Sequence, residues 1–167
     1  MSKYLTERIV PYKGTESFRF GMSIDEVKSL LKEEHVAFNQ ITESHKGCTP
    51  EVPWIILNIE DSITLCFVEG ILFETVLENR YEGHLPNGIA VGMKMKEAVD
   101  IDATLRYDDE EEDYVSDNGY WIEDDLENDQ IESITVFVPE ANDGDTFFRY
   151  DWIQECVNRR ESDSVVI

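Results

Sequence analysis

Apolar residues first follow helical spacing and then alternate as they do in strands. Four of them occupy one face of a helix: Ile24, Val27, Leu30 and Leu31. Ser23 and Glu26 have the spacing of a capping box, in which each side chain bonds the other residue's backbone N–H. The pattern therefore predicts a helix that begins after Ser23.

Strand-like segments follow this helix. Residues 54–59 form one apolar run, and residues 63–68 and 71–77 flank Glu69-Gly70, which is typical of a β-hairpin. Further along, residues 119–122 and 131–138 have the same character. We predict antiparallel strands in both places.

The chain contains an internal repeat. Residues 20–27 and 91–98 follow the same order of residue types. Each begins with an apolar residue and Gly-Met, continues with a variable, an apolar and a second variable residue, and ends with Glu and an apolar residue. The second helix would present Met95, Ala98 and Val99, and it has no good N-cap. Aligning residues 73–76 with 131–134 makes the second copy shorter. The pattern favours a tandem duplication over a chance match.

These elements predict an α+β fold of two similar helix-plus-antiparallel-sheet halves, side by side, with a C-terminal helix. The halves would be residues 1–85, with an N-terminal leader, and 86–140, with an acidic insert. Residues 141–167 would form the C-terminal helix and tail. The C-terminal helix is predicted over 147–160, followed by a loose end, and its buried stripe would be Phe148, Trp152, Ile153 and Cys156. Residues 43–53 are predicted to be a loop.

Acidic residues dominate the charge, and they are unevenly placed. The net charge is −23 over 167 residues, and residues 100–132 alone hold 15 acidic residues and one basic residue. This balance disfavours binding to nucleic acids or anionic membranes, both of which require basic surfaces. It favours association with a basic protein.

The acidic segment supplies the candidate partner-binding residues. Its carboxylates would steer a basic partner, and its interleaved aromatic residues would supply contact area. The alternative is a solvated acidic loop, in which the aromatic residues Tyr120 and Trp121 are core residues of a strand. The candidate residues are Asp108, Asp109, Glu110, Glu111, Glu112, Asp113, Tyr114, Asp117, Tyr120, Trp121, Glu123, Asp124 and Asp125.

The sequence carries no familiar catalytic or metal-binding motif. Residues 113–119 do not match an EF-hand calcium loop, and His45 with Cys48 would be only half of a zinc site. We therefore expect no catalytic residue, no metal and no cofactor. The three cysteines form no disulfide pattern, and the N-terminus lacks a signal sequence, so we expect a cytoplasmic protein.

The repeated openings resemble the tandem modules of β-lactamase inhibitor protein and small outer-membrane lipoprotein assembly modules. The matching residues are Gly21, Met22, Glu26 and Val27 in the first copy and Gly92, Met93, Glu97 and Ala98 in the second. In its general character, the chain also resembles bacterial immunity proteins, which are small, acidic and cytoplasmic. These resemblances imply inhibition by direct binding.

Three functional hypotheses follow. The first is an immunity-type protein that occludes a basic toxin, for example a nuclease. The second is a regulatory or structural module whose acidic loop is only solvated. The third is a carboxylate-dependent hydrolase, which would need two buried carboxylates converging on a pocket.

Overall fold

The computed structural model describes residues 2–44 and 52–165, which form an α+β fold that ends in a helix. Its α-helices are α1 (Ile24–Glu33), α2 (Met95–Ile101), α3 (Gly144–Phe147) and α4 (Ile153–Val165). Its strands are β1 (Ile9–Val10), β2 (Gly14–Thr15), β3 (Phe38–Ser44), β4 (Pro53–Ile59), β5 (Ile63–Val68), β6 (Ile71–Glu78), β7 (Arg106–Asp108), β8 (Asp113–Val115), β9 (Tyr120–Asp125) and β10 (Gln130–Phe137). No described helix is long and apolar enough to cross a membrane.

A single antiparallel sheet joins the two halves. Its strand order is β3-β4-β5-β6-β10-β9-β8-β7, so each half is a helix followed by a four-stranded meander. The last strands of the two meanders, β6 and β10, pair at the centre of the sheet. The predicted halves therefore lie side by side and share one sheet.

Matching hydrogen bonds relate the halves. The Gly21 N–H donates to the Leu72 carbonyl at 3.0 Å, and the Gly92 N–H donates to the Ile131 carbonyl at 2.8 Å. Leu72 is thus the counterpart of Ile131, and the predicted alignment of Phe73 with Ile131 is wrong by one residue. In each half the register shifts directly after this position, and alternating apolar residues alone do not reveal such a β-bulge.

The two helix starts differ as predicted. The Glu26 N–H donates to Ser23 Oγ at 3.1 Å, and the Ser23 N–H donates to Glu26 Oε1 at 3.3 Å, which completes the capping box of α1. In contrast, α2 follows Lys94, whose side chain caps no N–H. The better-capped helix is also the longer, with 10 residues against 7.

The helices cover one face of the sheet, which we call the inner face. Fully buried strand residues on this face pair across the sheet in two adjacent rows, Leu57 with Leu65 in one and Leu77 with Ile134 and Ile122 in the other. Helix residues in the same core include Val27, Leu31, Met95 and Ala98. We call the opposite side the outer face.

The C-terminal segment covers the first half of the outer face. Phe147 and Trp152 stack at 5.5 Å, and both pack on Phe73. The predicted continuous helix over 147–160 is wrong, because the chain turns between α3 and α4, where Tyr150 has a φ of 57°. The Trp152 indole N–H donates to the Phe147 carbonyl at 2.8 Å and fixes this turn.

Two further expectations for this segment are corrected. Phe148 is 42% exposed and Phe147 is buried in its place, because the turn after α3 shifts the apolar stripe by one residue. The helix also continues past residue 160 to Val165, and Lys13 and Arg19 both pair with Asp163. These ion pairs tie the end of α4 to the N-terminal segment.

The sequence pattern does not predict three strands, β3, β7 and β8, which are short or polar. β3 has a polar, exposed end that reads as loop, and β7 and β8 have three residues each. Glu43, Ser44 and Pro53 belong to strands rather than to the predicted loop. Residues 45–51 of that loop, including His45 and Cys48, lie outside the described residues.

Candidate functional site

The unbroken acidic run forms a tight hairpin at the edge of the sheet. β7 ends at Asp108 and β8 begins at Asp113, so residues 109–112 form the turn. The Asp108 carboxylate accepts hydrogen bonds from the backbone N–H groups of Glu110 and Glu111, at 2.9 and 3.2 Å. The side chains of the turn itself remain exposed.

The structure divides the predicted residues between the two faces of the sheet. Asp108, Asp113, Trp121 and Glu123 alternate with inner-face residues and therefore lie on the outer face. Tyr114 lies on the inner face, where it pairs with Ile122, and Asp124 lies on the same face, where it pairs with Ile131. Asp125 ends β9 and is partly exposed, and the predicted residues in the turns are all exposed: Asp109, Glu110, Glu111, Glu112 and Asp117.

Tyr120 is placed in the core and gives no surface to a partner in this structure. It is 1% exposed, and its hydroxyl donates a hydrogen bond to Asp102. Asn87 Nδ2 donates to the same hydroxyl at 3.2 Å. Burial, followed by the hydrogen bond to the carboxylate, raises the pKa of Tyr120 to about 12. Its inclusion among the contact residues is corrected by its position on the inner face.

Asp102 organises the second half, although sequence analysis did not assign it to the site. Its carboxylate accepts hydrogen bonds from Ser116 Oγ and Thr104 Oγ1, both at 2.6 Å, and from Asn118 Nδ2 at 3.1 Å. Burial would raise the pKa of Asp102, but these donors and Tyr120 hold it well below its usual range. The network ties the β8–β9 turn to the end of α2 and so positions both strands.

Carboxylates form a row across the outer face, which we call the acidic row (Asp108, Asp113, Glu123 and Glu78). Asp108 lies directly opposite Asp113, while Ser133 lies between Glu123 and Glu78 in the register of the sheet. Such like-charge neighbours destabilise a sheet. Sequence analysis missed Glu78 because it lies in the other half of the chain, far from the acidic segment.

The carboxylates in this row repel one another. Burial, together with the charges of Glu123 and Glu111, raises the pKa of Asp113 to about 6. Burial also raises the pKa of Glu78, and Glu132 and Glu123 raise it further. Glu123 thus acts on its neighbours in the row on both sides, Asp113 and Glu78.

The row has little internal countercharge. Within residues 100–132, all of which are described, the ion pair formed is that of Arg106 with Asp117, at 2.7 Å, and it lies beside the row. The described residues contain no group of three or more His, Cys, Asp or Glu that could hold a metal ion. The arrangement thus presents negative charge to whatever approaches the outer face.

A groove of about 870 Å³ lies next to the acidic row. Trp121 and Val115 line it from the second half, and Trp54 and Phe147 line it from the first half and the C-terminal segment. Glu74 lies among these apolar residues. Burial raises the pKa of Glu74 to about 7, although a hydrogen bond with the Cys66 thiol lowers it.

Comparison of the chain with models of known protein families, with curated proteins and with solved structures finds no match. The resemblances to inhibitor and immunity proteins therefore rest on the sequence features that suggested them.

Proposed function

We propose that this protein is an immunity-type inhibitor that binds a basic toxin through the outer face of its second half. The observation that carries the proposal is the acidic row. Neighbouring carboxylates on a sheet cost stability unless an external positive charge offsets their repulsion. A basic protein surface supplies such charge over the whole length of the row.

Exposed apolar residues in the acidic segment favour a protein as the partner. Tyr107 is 50% exposed at the edge of the inner face, where it packs on Tyr114 at 5.3 Å, and Leu126 in the β9–β10 turn is 88% exposed. Trp121 is half-buried on the outer face itself. Aromatic residues surrounded by charge are typical of the energetically important centre of a protein interface.

Binding of this kind has a definite kinetic signature. Surface charges accelerate the encounter of opposite charges, and salt screens them over about 8–10 Å at physiological ionic strength. We therefore expect fast association that slows as salt is raised. The apolar contacts would govern dissociation, which should depend less on salt.

The test begins with capture of partners from the native host at low and moderate salt. The row variant Asp108→Asn/Asp113→Asn/Glu123→Gln is compared with Asp25→Asn/Glu33→Gln/Glu82→Gln, which removes the same charge from exposed positions elsewhere. We expect wild type and control to capture one stoichiometric basic protein. With that protein purified, the row variant should associate roughly tenfold more slowly.

The inhibitory part of the proposal is tested on the same purified partner. Adding the wild-type chain in stoichiometric amount should abolish the partner's toxic activity, and the row variant should require a higher concentration. An association rate that is equal for the row and control variants would overturn the proposed surface. A captured partner that stays fully active in the complex would overturn inhibition.

A further inference from the structure

The groove beside the acidic row contains a carboxylate without a cationic partner. None of the ion pairs formed among the described residues includes Glu74. Its neighbour across the strands is Cys66, a weak hydrogen-bond donor that is itself buried. A carboxylate placed among apolar side chains is costly, and a bound cation would offset that cost.

The second half does not repeat this feature. Under the correspondence of Leu72 with Ile131, Glu74 is the counterpart of Ser133, which is buried and uncharged. The sheet is therefore compatible with a small neutral residue at this position. The sheet topology therefore does not require a charged residue at this position, and Glu74 places a carboxylate at the groove that the second half lacks.

The walls of the groove suit a flat cation. Trp54 and Trp121 line it together with Tyr12, Phe147 and Phe148. Aromatic faces attract cations, most strongly when water is excluded, and arginine also stacks on them through its planar guanidinium. Arg106 also lines the groove and pairs with Asp117, whereas the carboxylates of Asp108 and Glu111 at the same groove would attract a positive side chain.

From this geometry, and on the basis of the proposed function, we propose that the groove receives an arginine side chain of the basic partner. The guanidinium would pair with the Glu74 carboxylate and stack between the aromatic walls. Arginine is favoured over lysine because its planar fork bonds a carboxylate through two N–H groups, whereas the lysine ammonium is compact and more strongly hydrated. The volume of about 870 Å³ leaves room for the side chain and the backbone that carries it.

The test uses hexa-arginine amide and hexa-lysine amide as probes, with binding followed by calorimetry at low salt. The variant is Glu74→Gln, and the matched control is Glu132→Gln, which removes one exposed carboxylate from the same sheet. We expect wild type to bind the arginine peptide about tenfold more tightly than the lysine peptide. Glu74→Gln should abolish this preference, whereas Glu132→Gln should weaken both peptides equally and retain it.

The outcomes separate the two proposals. Equal affinity of wild type for both peptides, or a preference retained in Glu74→Gln, would overturn the arginine site and leave the acidic face intact. Absence of binding to either peptide would count against both proposals. If free arginine amide bound as tightly as the peptide, the groove would be a small-molecule site, and the docking proposal would fail.

Discussion

The two halves of the sheet have the same topology but different outer faces. In the first half, Trp54 and Phe73 are covered by the aromatic residues of the C-terminal segment, and the Trp54 indole N–H donates to the Tyr150 hydroxyl at 3.1 Å. In the second half, Tyr12 and Trp121 pack on Phe137, and the rest of the corresponding face carries the acidic row without an aromatic cover from the C-terminal segment among the described residues. The C-terminal segment thus determines which half of a symmetric sheet remains available.

The difference also shows how each half is held together. The first half relies on aromatic packing on both faces of the sheet and on a capped helix. The second half has a shorter helix, and it adds the hydrogen-bond network of the buried Asp102. The charged half is therefore stabilised by polar contacts behind its surface, which leaves the outer face free to carry repelling carboxylates.

The strongest test of this comparison removes the cover from the first half. Trp152→Ala should lower the free energy of unfolding by about 4 kcal/mol, because it deletes a buried ring that stacks on Phe147 and packs on Phe73. Tyr107→Ala is the comparison in the second half: it deletes an aromatic ring at the edge of the inner face that is 50% exposed, so the loss should stay below about 1 kcal/mol. Urea unfolding measures both. Equal losses would mean that the C-terminal cover on Phe73 contributes no more stability than a half-exposed ring of the second half.

The next test removes the polar support of the second half. Asp102→Asn should cost about 3 kcal/mol at pH 7, because several donors lose a charged acceptor in a buried site. The pKa of Asp102 is lowered on folding, so its contribution is complete above the unfolded value of about 3.9 and declines as the pH falls below it.

Asp100→Asn, in the exposed face of α2, is the control for the loss of one charge. It should change stability by less than about 0.5 kcal/mol. Hydrogen exchange should show faster opening of β8 and β9 in Asp102→Asn and little change in β4 and β5. Faster exchange spread evenly over both halves would contradict the local role of the network.

A smaller effect is expected from the acidic row. The pKa of Asp113 is raised on folding to about 6, so the folded state holds a proton there that the unfolded state has released above about pH 4. The contribution of Asp113 to the free energy of unfolding therefore falls as the pH rises from about 4 to about 6, and it is constant above that.

Asp113→Asn removes this penalty. It should be close to neutral at pH 4 and stabilising by about 1 kcal/mol at pH 7.5, a value reduced for solvent screening at a partly exposed site. The matched change is Asp109→Asn in the adjoining turn, which is exposed. A stabilisation by Asp113→Asn that is the same at both pH values would show that the row does not carry the repulsion.

Periodicity predicted the elements whose residues face one core. The helical spacing of Val27 and Leu31 and the alternation of β6 and β10 led directly to the observed α1 and the central strands. Periodicity could not reveal β7 and β8, because three-residue strands contain less than two periods. Nor could it show the turn at Tyr150, where the packing of Trp152 on Phe147 overrides the apparent helix.

The sequence identifies many residues of the candidate site but not which of them lie next to one another in the sheet. The acidic run and Trp121 could be found because they are adjacent in the chain. Glu78 and Glu74 could not, because their place beside the run comes from the pairing of β6 with β10. The sequence places Tyr120 among the candidate contact residues and leaves the strand-core alternative open, because an aromatic residue in a charged segment suits either role until the faces of the strand are known.

An effect as small as that of Asp113→Asn is expected at the centre of the sheet, where the halves meet. Thr75 is the counterpart of Ile134, and its hydroxyl oxygen is buried without a hydrogen-bond partner among the described residues. A buried hydroxyl that makes no hydrogen bond keeps its desolvation cost. Thr75→Val retains the branched shape and removes that cost, as Ile134 does in the other half.

Thr75→Val should therefore raise the free energy of unfolding by about 1 kcal/mol in urea denaturation. Thr135→Val, at a partly exposed position on the partner strand, is the control and should change stability by less than about 0.5 kcal/mol. A loss of stability in Thr75→Val would indicate that the hydroxyl is bonded in solution, for example by a water molecule. The two halves would then differ in hydration at their junction. Thr75 and Ile134 would occupy matching backbone positions but different side-chain environments.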